Sequence, residues 1–241
     1  MNDEPYVLTR ISPVREAFEY KDWSALGGLD PYGEHQLLWK FFDLPRNQKP
    51  TQAEFLFRAE RSDGLPLFYV LSRVIPRDTT GKWCIEPREY RPDLRPGDRL
   101  TFKLRTNPTV ARARESGKRG QRHDVVMDAK RRMNWKEIPV EDRLTLANVA
   151  YEAGSCWLRG REERLGCRFD ADHLRVDGHA VHCLKGRRDD KGNCHGIALS
   201  TLDFEGQLQV TDSELFLKNG LLAGIGPAKA FGCGLLLVRR C

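Results

Sequence analysis

Strand-like and helix-like segments recur in the same order in the two halves of this chain, and that order leaves few folds open. Residues 5–12, PYVLTRIS, read as a strand. Asp30 then offers an N-cap and Pro31 suits the first helical position, with Leu37, Leu38, Phe41 and Phe42 forming an apolar stripe behind them. EFLFRAER and LFYVLSRV, joined by SDG, read as a hairpin. RLTFKLRTNP, residues 99–108, alternates like a strand and stops at the turn-forming Asn107-Pro108. Residues 82–97 bear prolines and carry no readable pattern.

The second half opens near His123 with HDVVMD, a short strand. From Val140 onward Leu146, Val149, Ala150, Ala153 and Trp157 recur at helical spacing. HLRVDGHAVHCLKG and IALSTLDFEGQLQV follow as strands around the polar GRRDDKGNCHG, and Thr211 with Glu214 makes a capping box for a helix through Leu222. A last strand runs from Cys233 to Val238. Each half thus reads as strand, helix, two strands, helix, strand, although the first shows no clear second helix. The expected class is α+β with tandem ferredoxin-like domains. The expected layout is a first domain over 1–110, a basic linker over 111–122 (ARARESGKRGQR, without apolar periodicity) and a second domain over 123–241.

Between the last helix and the last strand lies GIGPAKAFGCG, residues 224–234, in which Gly224, Gly226, Gly232 and Gly234 bracket a single cation, Lys229. A glycine-rich turn with a lysine can press its N–H groups against phosphate oxygens. No Gly-Lys-Ser/Thr follows, so it is not a P-loop. It runs from helix into strand, the reverse of a dinucleotide fingerprint. Nucleic acid is therefore the expected anion.

The charge balance permits that partner without requiring it: 40 Lys and Arg stand against 34 Asp and Glu, a formal +6. No apolar run approaches the length of a membrane span, and the acidic start MNDEPYVLTRISP has no signal-peptide character. Seven scattered cysteines do not form a disulfide framework. A reducing cytosol is the expected compartment, with no membrane partner and no cofactor.

Three groups of residues could carry chemistry. Tyr32 and His35, at i and i+3, project from one side of the first helix, and Lys40 lies just over a turn beyond. A histidine can move a proton near neutral pH, a phenol can orient it, and a lysine can hold a phosphate. RNA needs little else, because its own 2′-hydroxyl is the nucleophile. From spacing alone, the simpler reading is that the pair merely decorates a helix start, because such pairs are common. Lys185, Arg187 and Arg188 occupy a hairpin tip suited to a phosphate backbone, although Asp189 and Asp190 beside them would also make a self-neutralising turn. His179, His182, Cys183, Cys194 and His195 could offer zinc four ligands, but their spacing matches no metal motif and ordinary strand and turn residues are the simpler reading. No aromatic motif of the RRM type appears on the expected strands.

GIGPAKAFGCGLL at 224–236, preceded by FEGQLQV at 204–210, resembles the C-terminus of the CRISPR repeat-RNA endoribonucleases of type I-E systems, the CasE subunits of Cascade. PYGEHQLLWKFF at 31–42 looks like the catalytic helix of that family and LRTNP at 104–108 like the end of its first domain. Residues 109–200 add little to the likeness. The resemblance implies tandem ferredoxin-like domains that bind the repeat stem-loop of precursor RNA and cut once at the base of the stem. It implies metal-independent cleavage leaving a 2′,3′-cyclic phosphate and a 5′-hydroxyl, after which the enzyme stays on the mature RNA beside the other Cascade subunits. His35 and Tyr32 take the catalytic positions. His35 would protonate the departing 5′-oxygen or act alternately as base and acid. Lys40 falls near the scissile phosphate, and Lys185, Arg187 and Arg188 on the hairpin that meets the stem. The glycine loop, with Lys229, would grip the RNA without cutting it; a non-catalytic RNA-binding subunit of the same complex is the alternative. The lead-in over 12–30 is longer than the family pattern, and Gln36 stands where a basic residue often follows the histidine.

Overall fold

The computed structural model describes residues 5–43, 55–112, 121–184 and 197–241. Its first sheet has the order β2-β3-β1-β4, built from β1 (Val7–Pro13), β2 (Phe55–Ser62), β3 (Leu65–Ser72) and β4 (Trp83–Glu89). All neighbours are antiparallel. The hairpin between β2 and β3 is fixed locally: Asp63 and Gly64 both take positive φ (52° and 78°), the combination that a tight two-residue turn requires. Helices α1 (Tyr20–Gly27) and α2 (Pro31–Trp39) connect β1 to β2. β4 forms within the proline-bearing stretch 82–97. It is an edge strand, where Pro87 can be tolerated opposite Thr9.

The second sheet contains β5 (Arg99–Thr106), β8 (Cys167–Phe169), β9 (Arg175–Leu184), β10 (Ile197–Val210) and β11 (Leu236–Arg240). Its order is β11-β5-β10-β8, and β9 continues along the same partner strand. Counting β8 with β9 as one interrupted strand, both sheets repeat the same antiparallel order, the one a ferredoxin-like unit has. The strand 99–106, expected from its pattern to close the first unit, instead opens this second sheet between β10 and β11. Strand pairing is a long-range choice that local alternation cannot register.

Other differences have local causes. The flanks of the expected basic linker pair with each other, β6 (Thr109–Arg112) against β7 (Gln121–Asp124), as a ribbon. HDVVMD divides: Asp124 caps α3 (Val125–Arg132) by accepting from Met127 N at 2.7 Å. Helix α4 (Leu146–Arg159) and the short α5 (Glu162–Leu165) lie over the second sheet. The last helix is capped by Asp212, not Thr211, because Thr211 N and Asp212 N both donate to Gly166 O while the Asp212 side chain accepts from Leu215 N. It begins as α6 (Ser213–Leu215) and widens to π geometry over Phe216–Leu222. The last strand starts at Leu236, later than the expected Cys233, because Gly234 takes a positive φ of 95° and its carbonyl accepts from Ile225 N within the loop.

Three apolar clusters hold these parts. One sits under α2 and contains Ile11, Leu38, Phe41, Phe55, Phe57 and Phe68. A larger one fills the space between the second sheet and α3, α4 and the π-helical segment. The third, Leu56 and Leu71 against Leu235, joins the opposite face of the first sheet to the chain entering β11. β2 is thus buried on both faces, which explains its run of large apolar residues and the close contact between the two sheets.

Candidate active site

Asp30 caps α2 as its sequence suggests: its Oδ1 accepts from Gly33 N at 2.7 Å and Pro31 occupies the first turn. The helix then sorts its side chains by period. Tyr32, Gln36 and Lys40 line the exposed face, and Tyr32 is 43% accessible. Glu34 and Leu38 face inward, and His35 and Trp39 lie half-buried on the flank between.

His35 does not bond to Tyr32. Its Nε2 accepts from the Trp39 indole N–H at 3.0 Å, and its ring lies 5.5 Å from Phe55 and 6.1 Å, stacked, from Phe57. A donor at Nε2 leaves Nδ1 to carry the ring proton, so the imidazole is held neutral. Burial among these rings acts in the same direction and lowers the His35 pKa from its ordinary 6.5. Trp39 is the partner that sequence reasoning missed; its i+4 spacing from His35 was the available signal.

Glu34 is the second residue missed. Only 7% exposed, its carboxyl is pushed by burial up to about 7, against the opposing pull of Arg61 and Arg105. Arg61 Nη2 donates to Glu34 Oε1 at 3.2 Å and to Leu29 O at 3.4 Å. Beyond it, Asp203 of β10 receives Arg105 through Nε and Nη2 at 3.0 and 2.9 Å, and Arg58 Nη2 lies 3.4 Å from the same carboxylate. Arg105 Nη1 also reaches Ala59 O at 3.2 Å. The two sheets are therefore tied by charge as well as by apolar contact.

The glycine loop closes against this assembly. Gly226 takes φ +84° with its Cα beside Thr106, where a Cβ would come within 2.5 Å of Oγ1; that hydroxyl donates to Ile225 O at 3.1 Å. A Cβ on Gly224 would meet Leu56 Cδ1 at 2.9 Å. The glycines thus let the loop approach protein, and the 3₁₀ turn Lys229–Phe231 inside it packs on α2 and β2. Lys229 Nζ donates to Ala223 O at 2.5 Å, and burial, then the nearby Arg164, depress its pKa. Phe231 and Gly232 reach a cleft of about 570 Å³ that also takes in Asp30, Glu34, Arg61, Arg105 and His182.

Lys185, Arg187 and Arg188 lie outside the described residues, as do Cys194 and His195. The zinc constellation finds no support in what is described. His179 and His182, three apart on β9, project to opposite faces: His179 toward Asp124 at 3.5 Å, His182 toward Thr201 at 3.3 Å. Among the described residues no group of three or more His, Cys, Asp and Glu is placed to hold a metal ion, and no helix is long and apolar enough to cross a membrane.

The helix that carries the half-buried His35 thus packs on the first of two ferredoxin-like sheets and meets the 3₁₀ turn of the glycine loop. The profile of the family described as CRISPR associated protein matches residues 8–240, and the chain belongs to that family. It is 28% identical over 210 residues to the CRISPR system Cascade subunit CasE of Escherichia coli, covering 86% of this chain and 90% of that protein. It is 29% identical over 220 residues to the CRISPR-associated endoribonuclease Cse3 of Thermus thermophilus, covering 87% and 90%. Its fold matches the structure of CRISPR endoribonuclease Cse3 bound to a 19 nt RNA with a TM-score of 0.66 at 24% identity, over 98% of this chain and 99% of that one.

Proposed function

We propose that this chain is a metal-independent endoribonuclease that binds the repeat stem-loop of CRISPR precursor RNA, cuts at the base of the stem, and stays on the mature RNA as a Cascade subunit in the cytoplasm. The relatives' names supply the substrate class. The observation that carries the chemistry is the neutral, half-buried His35 on the flank of α2, with Tyr32 and Lys40 on the adjoining exposed face.

A neutral imidazole is in the state that accepts a proton. As RNA binds, the 2′-hydroxyl replaces the Trp39 indole at Nε2 and passes its proton to His35. The 2′-oxygen then attacks the adjacent phosphorus in line, the bond to the 5′-oxygen breaks, and His35 returns the proton to that leaving oxygen. The products are a 2′,3′-cyclic phosphate and a 5′-hydroxyl. Tyr32 and Lys40 orient the phosphate, and Lys40 offsets the charge gathering on it. Lys185, Arg187, Arg188 and Lys229 hold the RNA strand, while Gly224, Gly226, Gly232 and Gly234, packed against protein, shape the loop that carries Lys229.

Labelled repeat RNA incubated with the protein in excess chelator tests this. A single cut with a cyclic phosphate end is expected. Tight binding without a cut would instead make the chain a non-catalytic RNA-holding subunit.

A further inference from the structure

The cleft beside the N-terminal end of α2 has a composition that does not suit a phosphate. Both of its guanidinium groups are already engaged, Arg61 with Glu34 and the Leu29 carbonyl, Arg105 with Asp203 and the Ala59 carbonyl. Glu34 and Glu60 add carboxylates to the lining, the first paired with Arg61 and the second with Arg58, so neither lining guanidinium is left over for an incoming phosphate. Glu34 Oε1 accepts from Arg61, whereas no donor reaches its Oε2 among the described residues. Phe231 contributes an aromatic ring to the same wall. A volume of about 570 Å³ is in the usual range for small-ligand pockets, about 300–1,000 Å³.

An unstacked nucleobase suits these features. It carries no charge, presents N–H donors on its Watson–Crick edge, and has a face that stacks on an aromatic side chain. Among the four bases, guanine alone points two adjacent N–H groups, N1–H and N2–H, in one direction, and a carboxylate can accept both while keeping its bond to Arg61.

We propose that this cleft takes one unpaired guanine of the RNA, next to the scissile phosphate, stacked on Phe231 and read through N1–H and N2–H by the Glu34 carboxylate. The inference rests on the endoribonuclease reading, which brings RNA to the neighbouring His35. Glu34 is then a specificity-determining residue in direct contact with substrate, and the glycine loop, by carrying Phe231 to the cleft, supplies part of the site.

The test is a panel of repeat RNAs in which each unpaired position flanking the cut is in turn guanine, inosine, adenine, cytosine and uracil. Equilibrium binding and single-turnover cleavage are both measured, for the wild type, Glu34→Gln and Phe231→Ala. At one position the wild type should prefer guanine by on the order of 10-fold or more in half-saturating concentration, with inosine, which lacks the N2 amine, intermediate. Glu34→Gln should move the preference toward adenine, whose edge a carboxamide matches. Phe231→Ala should weaken every base alike. A purely structural role for Glu34 would lower all rates in proportion without moving the preference. Equal binding and cleavage of all five RNAs by the wild type would overturn the subsite. A guanine preference in binding with no cleavage would keep the subsite and overturn the endoribonuclease reading.

Discussion

Trp39 donates its indole N–H to Nε2 of His35 across 3.0 Å, one turn along α2. The bond exists only with the neutral ring, so Trp39 and the surrounding burial together favour the form of His35 able to accept a proton. In Trp39→Phe the donor is lost while an aromatic ring stays against Phe55. The His35 pKa should rise, and the acid limb of the single-turnover rate, expected below pH 6.5 in the wild type, should move to higher pH. A pH–rate profile of both proteins reads this directly. A limb that stays in place would remove Trp39 from the proton chemistry.

Glu34 gives a second pH dependence, in stability. Its carboxyl is raised in the folded protein from an ordinary 4.5 to about 7 by burial, with Asp30 pushing the same way and Arg61 and Arg105 opposing. The folded state therefore binds a proton that the unfolded chain releases. The stabilisation is complete below pH 4.5 and declines as pH rises through about 7. The full span corresponds to about 3 kcal/mol. Glu34→Gln keeps the shape and removes the titration. Thermal unfolding between pH 5 and 7.5 should lose stability with pH less steeply in the variant than in the wild type, and identical slopes would contradict the assignment.

Gly226→Ala would place a methyl 2.5 Å from Thr106 Oγ1 at a φ of +84°. The strained backbone and the disturbed bond from Thr106 to Ile225 O together should cost about 2–3 kcal/mol, or roughly 5–10 °C in Tm for a chain of this size. Calorimetry checks it. An unchanged Tm with lost RNA binding would mean that this glycine serves the RNA and not the packing.

Arg105→Met would leave the Asp203 carboxylate with Arg58, which is 3% exposed, as its remaining guanidinium partner. Removing one member of a largely buried ion pair should destabilise by about 3 kcal/mol. In the double variant Arg105→Met/Asp203→Asn the loss should be smaller than the sum of the two single losses, a coupling that a double-mutant cycle from urea unfolding measures. Strict additivity would show that Arg105 and Asp203, cross-strand neighbours in the second sheet, do not act as a pair.

Features set by neighbouring residues were legible in the sequence. The Asp63-Gly64 turn, the Asp30-Pro31 helix start and the exposed Tyr32–Lys40 face each depend on a few adjacent positions. Features set by tertiary pairing were not. The alternation in Arg99–Thr106 identifies a strand but not that it opens the second sheet. Glu34 reads as an ordinary helix-surface acid until Arg61 and Leu29 are seen around it. The glycine loop was conspicuous for good reason, but its glycines are required first by Leu56, Thr106 and Trp157. Its Lys229 is half-buried and bonded to Ala223 O. The sequence pattern marks such a loop without saying what it presses against.

The central claim is that His35 carries the proton transfer. Single-turnover cleavage of repeat RNA by His35→Ala, at protein concentrations that saturate binding and in the presence of chelator, tests it most directly. The rate should fall by about 100-fold or more while the RNA stays bound. Cleavage at the wild-type rate would show that the chemistry lies elsewhere.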